Sequence, residues 1–195
     1  MRQTHFQWFY DDGPPATNSP MRSEDSNLAA VSPGSHVLLR VQCQHTGIHT
    51  FSVARWLEYR RAGSNVWRPV GSFGVPPYDA PLFYPSPWFV DGAGIATQRL
   101  STPPSATAGD FAGGEAKQVD GATGEIAYGP KEFSEDVFSI WVHPQAPAGL
   151  DLEFRLTREG QPLEYYTLYP RLTVEGYVPS RMDVKANELS SEVRP

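Results

Sequence analysis

The sequence predicts an all-β protein, an antiparallel two-sheet β-sandwich of jelly-roll type, and three observations carry that expectation. Proline and glycine are abundant, 19 and 17 of 195 residues, and both act against long helices, one by removing a backbone donor and the other by its conformational entropy. Apolar residues recur with a period of two in several runs rich in β-branched and aromatic side chains. Turns at regular intervals divide these runs into eight to ten strands, a set that packs as two layers. Helical periodicity survives without proline or glycine only from Arg181 to Val193, where a short weak helix is expected.

The first strand is Thr4-His5-Phe6-Gln7-Trp8-Phe9-Tyr10, ended by the turn Asp11-Asp12-Gly13. In His36 to Cys43, Val37, Leu39, Val41 and Cys43 share the inward face, with Arg40 and Gln42 opposite. His45-Thr46-Gly47 turns the chain. Phe51 to Arg60 places Phe51, Val53, Leu57 and Tyr59 in one phase, and Arg55 falls in that phase too. A bulge at Ala54-Arg55 or an internal partner for the guanidinium would reconcile it, and the bulge is favoured. Ala62-Gly63-Ser64-Asn65 forms a hairpin turn into Val66 to Val70. Short strands are expected at Ile95 to Leu100 and Glu125 to Tyr128, and longer ones at Phe133 to His143 and Leu150 to Arg158. The latter alternates Leu152, Phe154 and Leu156 inward with Glu153, Arg155 and Thr157 outward. After the turn Glu159-Gly160-Gln161-Pro162, a last strand from Leu163 to Val174 keeps Leu168, Leu172 and Val174 in phase. The domain thus spans 1–174, with an extended C-terminal arm over 175–195.

A net charge of -6 and a pI near 5.3 argue against nucleic acid as partner, which needs clustered cations. Arg40, Arg55, Arg60-Arg61 and Arg68 look scattered among strand residues. Single Cys43 excludes a disulfide and reads as a buried inert thiol. No apolar run of signal-peptide or membrane-spanning length occurs, so a soluble chain folding in a reducing cytoplasm is expected. Asp11, Asp12, Asp91, Asp110 and Asp120 lie beside glycines but lack a calcium-loop spacing, and turn chemistry explains them. His45 and His49 flank Gly47 without a helix to align them, so no zinc site is expected. Neither GxSxG nor a complete phosphate loop is present; Gly113-Gly114-Glu115-Ala116-Lys117 lacks the following Ser or Thr. Glu132, Glu135 and Asp136 read as a solvated turn before a strand. No catalytic residue, metal or cofactor is expected, and the chain reads as a non-enzyme.

Pro14 to Ser26, Gly74 to Asp91 and the tail do not read as core. The second holds Pro76, Pro77, Pro81, Pro85 and Pro87 with Tyr78, Phe83, Tyr84, Trp88 and Phe89. A proline-stiffened aromatic loop of this length calls for a binding surface. It can cap its own sandwich, pack against a neighbouring subunit, or stack on sugars. Tyr78, Phe83, Tyr84, Trp88 and Phe89, with Met182 and Val184 of the arm, are the candidate interface residues.

Several fragments resemble, in order, a domain recurrent in tailed-bacteriophage virion structural proteins. They are the aromatic strand ending in Asp11-Asp12-Gly13, the turn Glu24-Asp25-Ser26-Asn27, the strand Leu39-Arg40-Val41-Gln42 and Leu57-Glu58-Tyr59-Arg60 with Trp67 and Val70. Asp91-Gly92, Phe154-Arg155 and the closing run Tyr166 to Val174 (YTLYPRLTV) complete the likeness, which covers about residues 4–174. The proline-aromatic insertion is longer than that pattern, and the domain stands alone with its own tail. The resemblance implies a non-enzymatic β-sandwich of the virion, assembled in the host cytoplasm. A capsid decoration or cement protein suits it best, self-associating (a trimer is one form) and held to the major capsid protein. A tail or host-adsorption protein binding host glycans is the alternative.

Overall fold

The computed structural model describes residues 1–71 and 80–176. The protein is all-β, and no α-helix occurs among the described residues; the helix expected near the C-terminus lies outside them. In chain order the strands are β1 (Arg2–Phe9), β2 (Leu28–Val31), β3 (His36–Gln44), β4 (Phe51–Val53), β5 (Arg55–Arg61), β6 (Arg68–Pro69), β7 (Pro81–Phe83) and β8 (Ala93–Gly94). There follow β9 (Glu115–Lys117), β10 (Ile126–Tyr128), β11 (Phe133–Val142), β12 (Asp151–Arg158), β13 (Gln161–Pro162), β14 (Tyr165–Tyr166) and β15 (Arg171–Val174).

A seven-stranded sheet has the order β14-β1-β3-β11-β9-β8, with β7 also on β11. A six-stranded sheet runs β2-β15-β12-β5-β6, with β13 on β12, and β10 pairs with β4. The long central pairs, β1–β3, β3–β11 and β5–β12, are antiparallel. The sheets are nevertheless mixed, contrary to the wholly antiparallel expectation. β14 joins β1, β9 joins β11 and β2 joins β15 in parallel. These short strands come from distant parts of the chain, where a crossover replaces the hairpin that would impose antiparallel pairing.

The β5–β6 hairpin and the Glu159-Gly160 turn form as the sequence predicts, the latter with both residues at positive φ. Two other segments differ. Leu163–Val174 divides into β14 and β15, with Leu168 exposed between them; Pro170 in the gap has no N–H to give a ladder. Ile95–Leu100 is not a strand beyond β8, because Arg99 and Leu100 donate their backbone N–H groups to the Glu135 carboxylate at 2.9 and 3.0 Å.

The main core joins inward residues of both large sheets: Trp8, Leu39, Phe138 and Ile140 from one, Leu57, Phe154, Leu156 and Leu172 from the other. Trp8 meets Phe154 edge-on, with centroids 5.8 Å apart, a favoured aromatic geometry. Cys43 lies in this core, and burial pushes its thiol up to about 12. Its burial is what its residue type and phase predict.

The opposite face of β3 departs from expectation. Arg40 and Gln42, assigned to the outer face, are wholly buried beneath chain from the 95–105 region and the 14–26 loop. Arg40 donates to the carbonyls of Pro15 at 2.5 Å and Thr97 at 3.4 Å, while Gln44 donates to Ser105. Nearby, Phe9, Leu38, Ile95, Ala116 and Val137 make a second, smaller core. The 14–26 loop therefore covers the domain's own polar layer. Of the C-terminal arm, Glu175 is described and donates its N–H to the Val31 carbonyl.

Candidate functional site

Two arginine–carboxylate pairs lie inside the domain. Ser134 and Asp136 of β11 pair with Cys43 and Val41 of β3, so their side chains share the main-core face. Arg55, at the start of β5, reaches Asp136 from the other sheet through Nε–Oδ2 at 2.5 Å and a second nitrogen to Oδ1 at 2.7 Å. Both side chains are fully buried. Arg55 also donates to the Tyr128 hydroxyl, which lies 2.6 Å from Ser134 Oγ, and Asp136 accepts the Glu115 N–H. Burial opposes the Arg55 charge, but Asp136 and Tyr128 outweigh it and hold its pKa above the ordinary guanidinium value. The internal partner, disfavoured on sequence, is thus present, and the strand also breaks at Ala54.

Glu135 points to the other face of β11 and pairs with buried Arg40 at 2.8 Å. Burial lowers the Arg40 pKa, only partly countered by Glu135. Glu135 and Asp136 are therefore not a solvated turn. Each sits in mid-strand, its charge matched by an arginine brought from elsewhere in the chain, the condition under which buried carboxylates stay tolerable. Gly114 serves the same layer by close approach: a Cβ there would fall 1.8 Å from the Glu135 carbonyl oxygen. That contact explains the Gly113-Gly114 pair without a phosphate.

Surface acids behave as loop staples. His5, Glu24 and Asp25 come within metal-ligand reach of one another, but their atoms are already engaged. Asp25 accepts from His5 Nδ1 at 2.6 Å and from the Phe6 N–H, and Glu24 accepts from Ser101 and Thr102. Asp12 accepts the Ser19 N–H, and Asp11 accepts from Ser86. His45 bonds the His49 carbonyl at 2.8 Å, joining ring to backbone.

Among the described residues, four carboxyls sit below their ordinary values. Ser19 lowers Asp12, the Arg171 guanidinium lowers Asp151, and the chain's amino group lowers Glu164. For Asp91, burial acts upward and is outweighed by Lys117 and the Gln118 N–H. A depressed carboxyl contributes stability above its unfolded pKa and loses it as pH falls through the folded one. The thermal midpoint is therefore expected to be flat above about pH 5 and to fall below about pH 4.5, as melting curves between pH 7 and 2.5 would show.

Of the candidate interface residues, Phe83 is wholly buried, its ring 6.4 Å from Phe138. It fills the domain's own core and offers no surface, so its assignment as an interface side chain is corrected. Phe89 packs half-buried on the smaller core. Tyr84, also half-buried, lies 3.8 Å from the His36 ring. Trp88 is 46% exposed, with its indole N–H anchored on the Asp11 carbonyl, beside exposed Val90. Tyr78, Met182 and Val184 lie outside the described residues.

The six-stranded sheet carries a second aromatic surface. The β5–β12 register sets Glu58 opposite Arg155 and Arg60 opposite Glu153. Both pairs close, at 2.7 Å each, and Arg171 pairs with Asp151 alongside. Trp67 lies across this ladder, with the Arg155 and Arg60 guanidinium carbons 4.3 and 4.5 Å from its ring centroid. Tyr169 adjoins Trp67 at 5.2 Å and Tyr166 adjoins Tyr169 at 5.2 Å. Trp56, 39% exposed, shares the outward phase of Glu58 and Arg60. Arg60, Arg155 and Arg171, distant in the sequence, are thus gathered on one face. The usable signal was the charge alternation of Glu58-Tyr59-Arg60 against Glu153-Phe154-Arg155, which needs the strand register to be interpreted. The chain matches no protein-family model, no curated protein and no solved structure.

Proposed function

We propose that the chain is a non-enzymatic structural protein of a tailed-phage particle, its two large sheets layered as a jelly-roll-like sandwich. In this role it decorates or cements the capsid, self-associating and binding the major capsid protein. One observation carries the adhesive reading: the Trp56, Trp67, Tyr166 and Tyr169 face, held stiff by the Glu58–Arg155 and Arg60–Glu153 pairs. Tryptophan, tyrosine and arginine are the residues that dominate binding energy at protein interfaces. Preorganised side chains also lose little entropy on docking. The phage assignment is supported by the ordered resemblance over residues 4–174.

Trp56→Ala with Trp67→Ala, and separately removal of residues 176–195, are expected to leave a folded domain whose incorporation into particles falls at least about tenfold. Unchanged incorporation of both variants would overturn the adhesive reading. A tail or host-adsorption protein is the second reading, favoured by Trp88, whose anchored indole presents a face on which a sugar ring can stack. Tryptophan chemical shifts that move on titration with host polysaccharide would select it.

A further inference from the structure

On the outer face of the six-stranded sheet, aromatic rings lie over charges that are already matched. Trp67 stands one step beyond the Tyr59–Arg68 pair of the β5–β6 hairpin, so its side chain falls on the face of Glu58 and Arg60. The ion pairs beneath it are largely covered. The Glu58 and Arg155 side chains are each 12% exposed, Arg60 is 20% and Glu153 17%. Asp151 matches Arg171 alongside. These three pairs neutralise one another, so the face offers little to an ionic partner. From Trp67 the surface continues through Tyr169 to Tyr166 in two steps of 5.2 Å.

The hydrogen-bonding character of the face is one-sided. Among the described residues nothing accepts from the Trp67 indole N–H or the Tyr169 hydroxyl, while arginines occupy the Glu58 and Glu153 carboxylates. The Tyr166 hydroxyl is satisfied within the domain, accepting the Leu163 N–H and donating to the Leu156 carbonyl, which fixes its ring. A complementary ligand presents apolar area and acceptors, with few donors and no charge. A proline-rich segment has this character. Proline lacks an N–H, and in the polyproline II conformation the carbonyls make no internal hydrogen bond. One turn takes three residues with a rise of about 3.1 Å each, the scale of the aromatic row. A sugar fits less well, because every hydroxyl brings a donor that needs an acceptor. A nucleic-acid backbone needs unpaired cations.

We propose that the Trp67–Tyr169–Tyr166 face docks an extended, uncharged, proline-rich segment of a partner protein. The rings pack on proline, and the Trp67 N–H donates to a carbonyl of the segment. Little conformational entropy is lost, because such a segment is extended before it binds and the rings are held on their ion pairs. The inference rests on the adhesive reading above and gives the chemistry of the partner.

The test is an NMR titration of the full chain with decaproline, a glycine-serine decapeptide and maltoheptaose. Decaproline is expected to shift the Trp67 indole N–H and the amides of residues 58–60, 66–69 and 165–169, and the glycine-serine peptide to leave them in place. Binding is expected to weaken at least about tenfold in Trp67→Ala and in Tyr169→Ala. In Trp67→Phe, which keeps a ring over the guanidiniums and removes the donor, a loss of roughly threefold is expected. No shift at millimolar decaproline, or equal affinity in Tyr169→Ala and Trp67→Phe, would overturn the proposal. So would tighter binding of maltoheptaose, or shifts of the same signals on simple dilution of the chain, which would give the face to a second copy. Particle incorporation separates the two readings. If Trp56→Ala with Trp67→Ala loses incorporation while the parent ignores decaproline, adhesion stands and the proline-rich partner falls. If decaproline binds as expected and incorporation is unchanged, the docking face stands and its role in the particle falls.

Discussion

Replacing Asp136 with alanine is expected to destabilise the domain by about 3–5 kcal/mol, the usual cost of stranding one member of a buried ion pair. Against a typical total of about 5–15 kcal/mol, that change removes a large share of the stability. Arg55 cannot shed its proton, and it then lies fully buried with its main counter-charge gone. The Glu115 N–H loses its acceptor at the same time. Arg55→Met with Asp136→Leu provides the control. Apolar pairs often substitute for a buried ion pair with little loss, so the double variant is expected to be more stable than Asp136→Ala, short of the parent by the orphaned Glu115 N–H, about 1–3 kcal/mol. Denaturant midpoints would measure both. A loss below about 1 kcal/mol for Asp136→Ala would show that Arg55 finds other compensation.

Glu135→Ala is expected to cost about as much, roughly 3–5 kcal/mol, but with a different local signature. That carboxylate serves Arg40 and also the Arg99 and Leu100 N–H groups, so it fastens an irregular segment to β11. Its removal should abolish hydrogen-exchange protection at residues 97–102 first, while β5 and β12 of the other sheet keep theirs until global unfolding. Glu135→Gln should recover little, because a neutral amide supplies one acceptor and leaves the Arg40 charge unmatched. Uniform loss of protection across both sheets would show that the segment does not depend on this contact.

These two acids mark the boundary of what sequence reasoning could see. Adjacent carboxylates before an apolar run resemble a solvated turn, because nothing local announces that an arginine waits on each side. Asp136 is matched from 81 positions away and Glu135 from 95. Arg55 was visible as an anomaly in an apolar phase, and of its two explanations a local bulge looked cheaper than a partner at unknown distance. Phe83 was misassigned for the converse reason. It stands in a proline-rich loop-like stretch, yet three of its residues pair with β11 as β7, and the ring falls into the core.

Periodicity and turn chemistry determined the class of this protein on their own. The long strands β1, β3, β5, β11 and β12, the inward faces of β3, β5 and β12, the hairpin turns and the buried thiol follow from spacing and residue type, since a strand's faces alternate whatever lies beyond them. Which outward faces stay wet, which short strands add in parallel, and which arginine meets which acid were decided by tertiary structure alone. Each depends on segments far apart in the chain arriving at the same place, and a charge's surroundings, unlike its spacing, are not encoded beside it.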